Sequence, residues 1–229
     1  MLAKPALAAV AVGQCPQCTA MERFLLWSGL DAWRAEAATV DLGPDELRAT
    51  GTQLGTGAVP YRLDYRLDTG AGFVTRRLEV EAAGNGWTRS LHLTHDGKGR
   101  WRCDVEEHGA VALPAAGGDV EAVCGALDCD LGLSPLTNVM PICRHGLHKR
   151  PGAADFLMAW VSVPDLGLHP SRQRYEHVRT GSDGAVVRYV DLGTHKGFVS
   201  ELELDLDGLV VIYPQLARRV NLHGDGLAG

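Results

Sequence analysis

Short segments that alternate between apolar and polar residues recur along the chain, and this alternation constrains the fold more than any other feature of the sequence. Residues 61–68 are apolar at every odd position and polar at every even one. Alternate residues of a β-strand point to opposite faces of a sheet, so this period predicts a strand with one buried face. A glycine-containing turn at residues 69–72 leads to a second alternating segment at residues 74–81. Together the two segments predict a β-hairpin.

The same pattern occurs twice more. Residues 90–95 are followed by a strand that begins at Trp101, and residues 198–206 are followed by the apolar residues 209–213. An Asp-Gly turn separates the two members of each pair. Asp-Gly accepts the positive φ angles of tight hairpin turns, so both pairs are predicted to be antiparallel.

Helical signals are few. Residues 119–127 could form two helical turns after a Gly-Gly break, and residues 155–161 fit a helix or a strand equally well. The predicted fold class is therefore mainly β, with one or two short helices. The length of 229 residues with 45% apolar composition suits one large domain, because β barrels and sandwiches often reach this size undivided.

Charge and hydropathy exclude two classes of partner. The formal net charge of −6 lacks the clustered Lys and Arg that contact phosphates, so nucleic acid is not expected as a partner. No segment approaches the roughly 20 consecutive apolar residues of a membrane-spanning helix. We therefore expect a protein that does not span a membrane.

The N-terminal segment differs from the rest of the chain. Residues 1–20 are Ala-rich and contain a Cys-x-x-Cys motif at Cys15 and Cys18 without a second pair that would complete a zinc site. We predict that residues 1–20 form a tail outside the fold, that residues 21–229 form the domain, and that Met21 is the true start. This predicts a cytoplasmic protein; the alternative is export, because residues 4–12 weakly resemble a signal segment.

The sequence contains no complete catalytic signature. The sequence Gly-Leu-Ser-Pro-Leu at residues 132–136 lacks the second glycine of a nucleophile elbow, and no phosphate-binding loop is present. His92 and His95 are three residues apart in a predicted strand, which places them on opposite faces. His145 and His148 are interrupted by glycine and followed by two cations. We predict no catalytic residue, metal ligand or cofactor, and we expect the histidines to be solvated at the surface.

The segment at residues 128–144 reads DCDLGLSPLTNVMPICR and fits neither helical nor strand periodicity. Asp128 and Asp130 have two interpretations. In the first, they bind a ligand or act as an acid–base pair. In the second, they accept hydrogen bonds from local backbone amides in a turn-rich connection. The second interpretation is favoured, because Asp, Ser, Thr and Asn commonly satisfy backbone donors.

This segment resembles the D-x-D-L-G-x-S/T-P-x-T-N-x-x-P-I-R pattern of the putative glycolipid-binding family, a group of bacterial proteins once known only as a domain of unknown function. The likeness extends from Trp27 to Val220 through PYRLDY, TRRLEV, WVSVPDL and YPQLARRV, in the expected order. One departure is Cys143, where the family has the first of two arginines. Only Arg144 remains of that pair.

The resemblance implies a large antiparallel sheet rolled into a barrel-like spiral, or β-roll, with an apolar concavity and a glycolipid ligand, and it implies no known reaction. Fold does not fix function. On this basis the candidate ligand-binding residues are Asp128, Asp130, Thr137, Asn138 and Arg144.

Three functional hypotheses remain open. The first is binding of a glycolipid or other amphiphile, whose acyl chain enters the apolar cavity of the rolled sheet. The second is a hydrolase or isomerase that acts on a lipid-like substrate through Asp128 or Asp130, which requires a raised pKa and a position in a cavity. The third is a structural or interaction module with a fully packed interior. Oligomeric state is not predicted.

Overall fold

The computed structural model describes residues 21–193 and 196–221. These residues contain fourteen strands in one sheet. The strands are β1 (Met21–Gly29), β2 (Arg34–Leu42), β3 (Leu47–Gly55), β4 (Tyr61–Thr69), β5 (Thr75–Gly84), β6 (Trp87–His95), β7 (Trp101–Gly109), β8 (Asp128–Leu131), β9 (Ala153–Val161), β10 (Leu168–Thr180), β11 (Ala185–Asp191), β12 (Val199–Leu204), β13 (Val210–Tyr213) and β14 (Ala217–Arg219). The described residues also include one α-helix, α1 (Val139–His145), and 3-10 turns at Ala71–Phe73, Val120–Val123 and Leu136–Asn138.

The sheet consists of two antiparallel meanders, here called the first arm (β1–β7) and the second arm (β9–β14). They join where β1 pairs with β14, so the spatial order runs β7-β6-β5-β4-β3-β2-β1-β14-β13-β12-β11-β10-β9-β8. Strand β8 pairs in parallel with β9 at one edge. The sheet is curled, and among the described residues no hydrogen bonds between the edge strands β7 and β8 close it.

Strand β4 illustrates why these sequences form strands with one buried face. Its odd-numbered residues Tyr61, Leu63, Tyr65 and Leu67 are all buried, while the even-numbered ones are exposed or half-buried. Leu67 lies opposite the buried Leu78 of β5 in the register of the hairpin. The period of two therefore places one continuous apolar face on the inner side of the curled sheet.

The inner segment, residues 128–145, comprises β8, a 3-10 turn and α1. It packs against the buried face of the first arm through Leu131, Leu136, Val139 and Met140, which belong to the main core. The backbone amide of Cys129 donates to Thr75 Oγ1 at 3.0 Å. The inner segment therefore fills the concave side of the first arm.

Helix α1 is short and ends at a glycine. Gly146 adopts the left-handed conformation (φ 65°), and its amide returns to the last turn of the helix. This geometry suits glycine because it has no Cβ. The sequence did not predict the helix, because seven residues with a proline are too few to display a helical period.

The buried residues form two clusters. The larger contains most of the first arm together with the inner segment. The smaller lies between the second arm and the end of α1, and it contains Ile142, Leu147, Tyr175, Val187, Tyr189, Leu202, Leu204, Val210 and Tyr213. The second cluster thus has three tyrosines, whose hydroxyls bring polar atoms into a buried region.

The predicted mainly β, rolled sheet is confirmed, as are the three hairpins. The prediction of two helical turns at residues 119–127 is wrong, because only a 3-10 turn forms at Val120–Val123; residues 155–161 belong to a strand. The prediction for residues 1–20 lies outside the described residues. None of the described helices has the length and apolar character needed to cross a bilayer.

Candidate ligand-binding site

A cavity of about 460 Å³ lies between the inner segment and the second arm. Loops of the first and last strands complete its wall. The described lining residues are Asp31, Asp130, Leu131, Gly132, Leu133, Ser134, Asn138, Trp160, Tyr189, Asp191, Phe198, Tyr213, Gln215 and Leu216. This volume falls within the range of about 300–1,000 Å³ that is typical of small-molecule sites.

Aromatic side chains form one side of the cavity. The Tyr189 ring lies beside those of Phe198 and Tyr213, with a centroid distance of 6.1 Å to each. Trp160 comes from β9, and its ring lies 5.5 Å from that of His169. Gly132 lies beside Trp160: a Cβ at this glycine would stand 3.5 Å from the indole nitrogen. The cavity is therefore lined by rings that expose flat apolar faces.

Asp130 also lines the cavity and is fixed by side chains from two elements. Its carboxylate accepts hydrogen bonds from Thr137 Oγ1 at 2.8 Å and from Gln173 Nε2 at 2.7 Å. Burial raises the pKa of Asp130 above its usual value, although the two donors oppose this shift. Both donors are uncharged, so this acid has no cationic hydrogen-bond partner among the described residues.

Asn138 is held by the second arm. Its side-chain amide donates to Pro135 O at 3.1 Å, and its Oδ1 accepts from the Tyr175 hydroxyl at 2.8 Å. Tyr175 also contacts Gln173, so the Asp130 and Asn138 side chains belong to one hydrogen-bonded network. A network of this kind fixes the orientation of the groups that face the cavity.

Asp128 and Arg144 form a buried ion pair away from the cavity. Arg144 makes two hydrogen bonds to the Asp128 carboxylate and donates to the backbone oxygens of Gly72 and Phe73, the first at 2.6 Å. Burial raises the pKa of Asp128, and the guanidinium opposes this shift. The pair ties the inner segment to the loop between β4 and β5.

The cavity has an acidic character. Asp31 accepts a hydrogen bond from Arg34 at 2.6 Å, and Asp191 accepts one from the Gly193 amide at 2.7 Å. None of the described lining residues is Lys, Arg or His. The described lining therefore contributes acidic groups and no basic ones, while Arg34 pairs with Asp31 from outside that lining.

Two lining residues have an unusual backbone conformation. Leu133 has φ 64° and Gln215 has φ 69°, the left-handed region that normally favours glycine. Such residues cost about 1–3 kcal/mol each and persist where the surrounding structure holds them. Such conformations occur at functional sites, but Phe73 and Leu166 share this feature outside the described lining.

A buried acid lies directly behind the Leu133 turn. Glu36 of β2 accepts hydrogen bonds from the hydroxyls of Tyr65 and Ser134, both at 2.7 Å. Gln53 Nε2 lies 3.3 Å from the second carboxylate oxygen. Burial raises the pKa of Glu36 to about 7, against the opposing effect of these donors and of Arg34.

The five residues singled out from the sequence lie in different places. Asp130 and Asn138 line the cavity. Thr137 lies behind and donates to Asp130, while Asp128 and Arg144 form the separate ion pair. The favoured interpretation of the two acids, backbone capping, is wrong, because both accept hydrogen bonds from side chains instead. Whether any of the five contacts a ligand stays a prediction.

Sequence reasoning missed the aromatic wall and Glu36. Trp160 and Tyr213 lie within the segments that resemble the family, so the resemblance contained a usable signal. Glu36 also left a trace, because it shares the alternation of Ala38 and Val40, which lie in the core. An acid at a buried strand position is a candidate for a perturbed pKa.

The histidine prediction was only partly correct. His92 is exposed and His95 is buried, on opposite faces as expected. His95 and His148 are not solvated, however: both are largely buried. The His95 ring closes its turn, because its Nδ1 lies 3.0 Å from Thr75 O and its Nε2 accepts from the Gly99 amide. Within the described residues, no group of three or more His, Cys, Asp or Glu side chains could hold a metal ion.

The curled sheet defines a β-rich class of protein with a ligand-sized cavity. The profile of the family described as Putative glycolipid-binding matches residues 24–219. The chain belongs to this family. The family description gives it a binding role at the level of the family.

A solved structure shows the same fold. A crystal structure of a DUF1089 family protein from Pseudomonas aeruginosa is similar to this chain with a TM-score of 0.59 and 25% sequence identity. The match covers 95% of this chain and 100% of that one. No curated protein matches the chain.

Proposed function

We propose that the protein binds an amphiphile with an uncharged, hydroxyl-rich head, such as a glycolipid, in the cavity between the inner segment and the second arm. The observation that carries this proposal is the combination of four aromatic residues with hydrogen-bond acceptors in one cavity. The family description is consistent with it. No reaction is required.

The head of the ligand would rest against Trp160 and Asp130, which are paired neighbours in the register of β8 and β9 and project from the same face of the sheet. The C–H face of a sugar ring is apolar and packs on an aromatic face, whereas its hydroxyls are donors. The carboxylate of Asp130 and the carbonyl oxygen of Asn138 are acceptors. The acyl chain would leave along Leu133, Phe198 and Leu216, which also line the cavity.

The lining also determines which heads are rejected. A sulfate or phosphate head would approach the Asp130 carboxylate, whose hydrogen-bond donors Thr137 and Gln173 are both uncharged. A quaternary ammonium head would gain from the acidic charge and the rings, but it offers no O–H donor to Asp130. We therefore expect neutral polyol heads to bind best.

The test is a series of amphiphiles with the same octyl chain, used below the concentration at which they form micelles. Isothermal titration calorimetry compares octyl β-glucoside, octyl sulfate and octyltrimethylammonium. We expect octyl β-glucoside to bind at least about tenfold more tightly than either charged analogue, a difference of about 1.4 kcal/mol. Absence of binding by every member would remove the proposed function, and equal binding of octyl sulfate would remove the charge selectivity alone.

Acid–base catalysis on a lipid-like substrate is a second candidate, and one observation favours it. Asp130 lies in the cavity and burial raises its pKa, as a general acid near neutral pH requires. Asp128 is less suited, because Arg144 occupies its carboxylate. Turnover of p-nitrophenyl octanoate or an octyl glycoside that disappears in Asp130→Asn would support this function. Absence of turnover by the native protein would remove it for these substrates.

A fully packed interaction module, the third hypothesis, is the least supported. The cavity of about 460 Å³ leaves room that such a module would fill.

A further inference from the structure

Three neighbouring strands of the first arm bring polar side chains to a single buried point. Glu36 on β2 lies opposite Gln53 on β3, and Tyr65 follows on β4. Their exposed fractions are 3%, 0% and 4%, so all three are shielded from solvent. Polar groups this deep in an aliphatic core are costly unless hydrogen bonds satisfy them, which points to a role beyond packing.

These side chains hold the wall of the cavity. Ser134 donates to Glu36 Oε1 at 2.7 Å, and Gln53 Nε2 lies 3.5 Å from the backbone oxygen of Gly132. Gly132 and Ser134 flank Leu133, and all three line the cavity. Leu133 has a left-handed backbone, so its conformation depends on contacts at both ends of the turn.

The surroundings of Glu36 set the balance between its two protonation states. Burial is the largest influence and raises its pKa to about 7, while hydrogen bonds from Tyr65, Ser134 and Gln53 and the charge of Arg34 oppose it. Among the described residues Tyr61 also interacts with Glu36, and burial raises the pKa of Tyr61 to about 12. Tyr61 and Tyr65 therefore stay neutral near pH 7, and Glu36 is the group in this cluster that changes charge there.

We propose that Glu36 is a positioning residue for the cavity, and that its ionised carboxylate holds the turn at residues 132–134 in the shape that binds ligand. This inference rests on the proposed function. The two hydroxyl donors share Oε1 of the carboxylate, while Oε2 faces the Gln53 amide. An added proton is therefore accommodated at Oε2.

Protonation at Oε2 would place one donor against another, because Gln53 presents its NH₂ group there. Rotation of the amide resolves this conflict by presenting Gln53 Oε1, which is buried and has no hydrogen-bond partner among the described residues. The same rotation directs an oxygen toward Gly132 O in place of the NH₂ group. Two oxygens repel each other, so the turn is released and the cavity wall shifts.

The experiment measures the Kd of octyl β-glucoside from about pH 6 to about pH 8. The native protein is compared with Glu36→Gln, which mimics the protonated acid, and with Tyr65→Phe, which removes one donor. Glu81→Gln, an exposed acid on β5, is the matched control. Native affinity is expected to weaken about three- to tenfold as the pH falls across this range.

Each variant has a distinct expected profile. Glu36→Gln should bind weakly at every pH, with no dependence on pH across the range. Tyr65→Phe should move the midpoint to higher pH, because the lost hydrogen bond had lowered the pKa of Glu36. Glu81→Gln should follow the native profile. Parallel profiles for the native protein and Glu36→Gln would overturn the proposal and would assign the pH dependence to another group, such as Asp130.

A measurement without ligand separates this proposal from the proposed function. Hydrogen exchange at the Leu133 and Ser134 amides, followed by NMR, should accelerate below about pH 7 in the native protein beyond the intrinsic effect of pH, and not in Glu36→Gln. If octyl β-glucoside fails to bind at any pH, the proposed function fails while the exchange data still decide the role of Glu36. Identical exchange in both proteins would overturn that role. If Glu36→Gln does not fold, Tyr65→Phe replaces it, and the acceleration of exchange should then begin at a higher pH than in the native protein.

Discussion

The two arms of the sheet have similar strands but different interiors. The first arm is covered by the inner segment and packs mainly aliphatic side chains, such as Leu67, Leu78 and Val80. The second arm exposes Tyr189 and Tyr213 to a cavity that the inner segment only partly fills. The difference shows that alternation determines which face is buried, whereas the packed segment determines whether that face becomes a core or a site. We expect the first arm to govern stability and the second to govern binding.

The largest expected effect is on the tie between the inner segment and the first arm. Arg144→Ala leaves Asp128 buried without its partner, and loss of one member of a buried pair costs about 3–5 kcal/mol. Chemical denaturation should show this loss. Arg102→Ala is the control, because Arg102 pairs with Asp104 on an exposed surface and should change stability little. A loss no larger than that of the control would mean that this tie does not stabilise the first arm.

The next effect concerns the pH dependence of stability. The folded-state pKa of Glu36 is raised from 4.5 to about 7, so the folded protein retains a proton that the unfolded chain has lost between these values. Stability is fully present below the unfolded pKa and decreases as the pH rises through about 7. For one group, this loss approaches about 3 kcal/mol.

The measurement is the difference in unfolding free energy between the native protein and Glu36→Gln at several pH values. Taking the difference cancels the titration of other groups, including Asp128, Asp130 and His148. The native protein should lose stability relative to the variant as the pH rises from about 5 to about 8. A difference that is constant with pH would contradict the assigned pKa.

The smallest expected effect is on ligand binding by the second arm. Trp160→Leu removes a ring from the cavity and should weaken binding of octyl β-glucoside about two- to tenfold, the range that corresponds to about 0.5–1.5 kcal/mol of aromatic contact. Trp33→Leu is the matched control, because Trp33 is 65% exposed and does not belong to the described cavity lining. Equal affinities for the two variants would mean that the aromatic wall does not contribute to ligand binding.

The fold was largely predictable and the site only partly so. The β4–β5 hairpin follows from the alternation of residues 61–68 and 74–81, because a period of two is a local property. The cavity, by contrast, depends on contacts between residues far apart in sequence, such as Asp130 and Gln173. Their meeting is a consequence of how the sheet curls, which no local pattern specifies.

Asp128 and Asp130 show this limit most clearly. They lie two residues apart and looked like one pair, yet one is neutralised by Arg144 and the other contributes to the cavity. Similarly, Ser134 failed as part of a nucleophile elbow and serves instead as a hydrogen-bond donor to a strand more than ninety residues away. Residue type and spacing predicted that these polar residues have a specific role, but they did not predict which partner each residue contacts.

A crystal structure of the protein with octyl β-glucoside would show whether the ligand binds between the second arm and the inner segment. We expect the sugar to pack against Trp160 and Asp130, with hydroxyls bonded to Asp130 and Asn138, and the alkyl chain to run along Phe198 and Leu216. A glucoside bound outside this cavity, with the cavity filled by protein side chains, would overturn the proposed function.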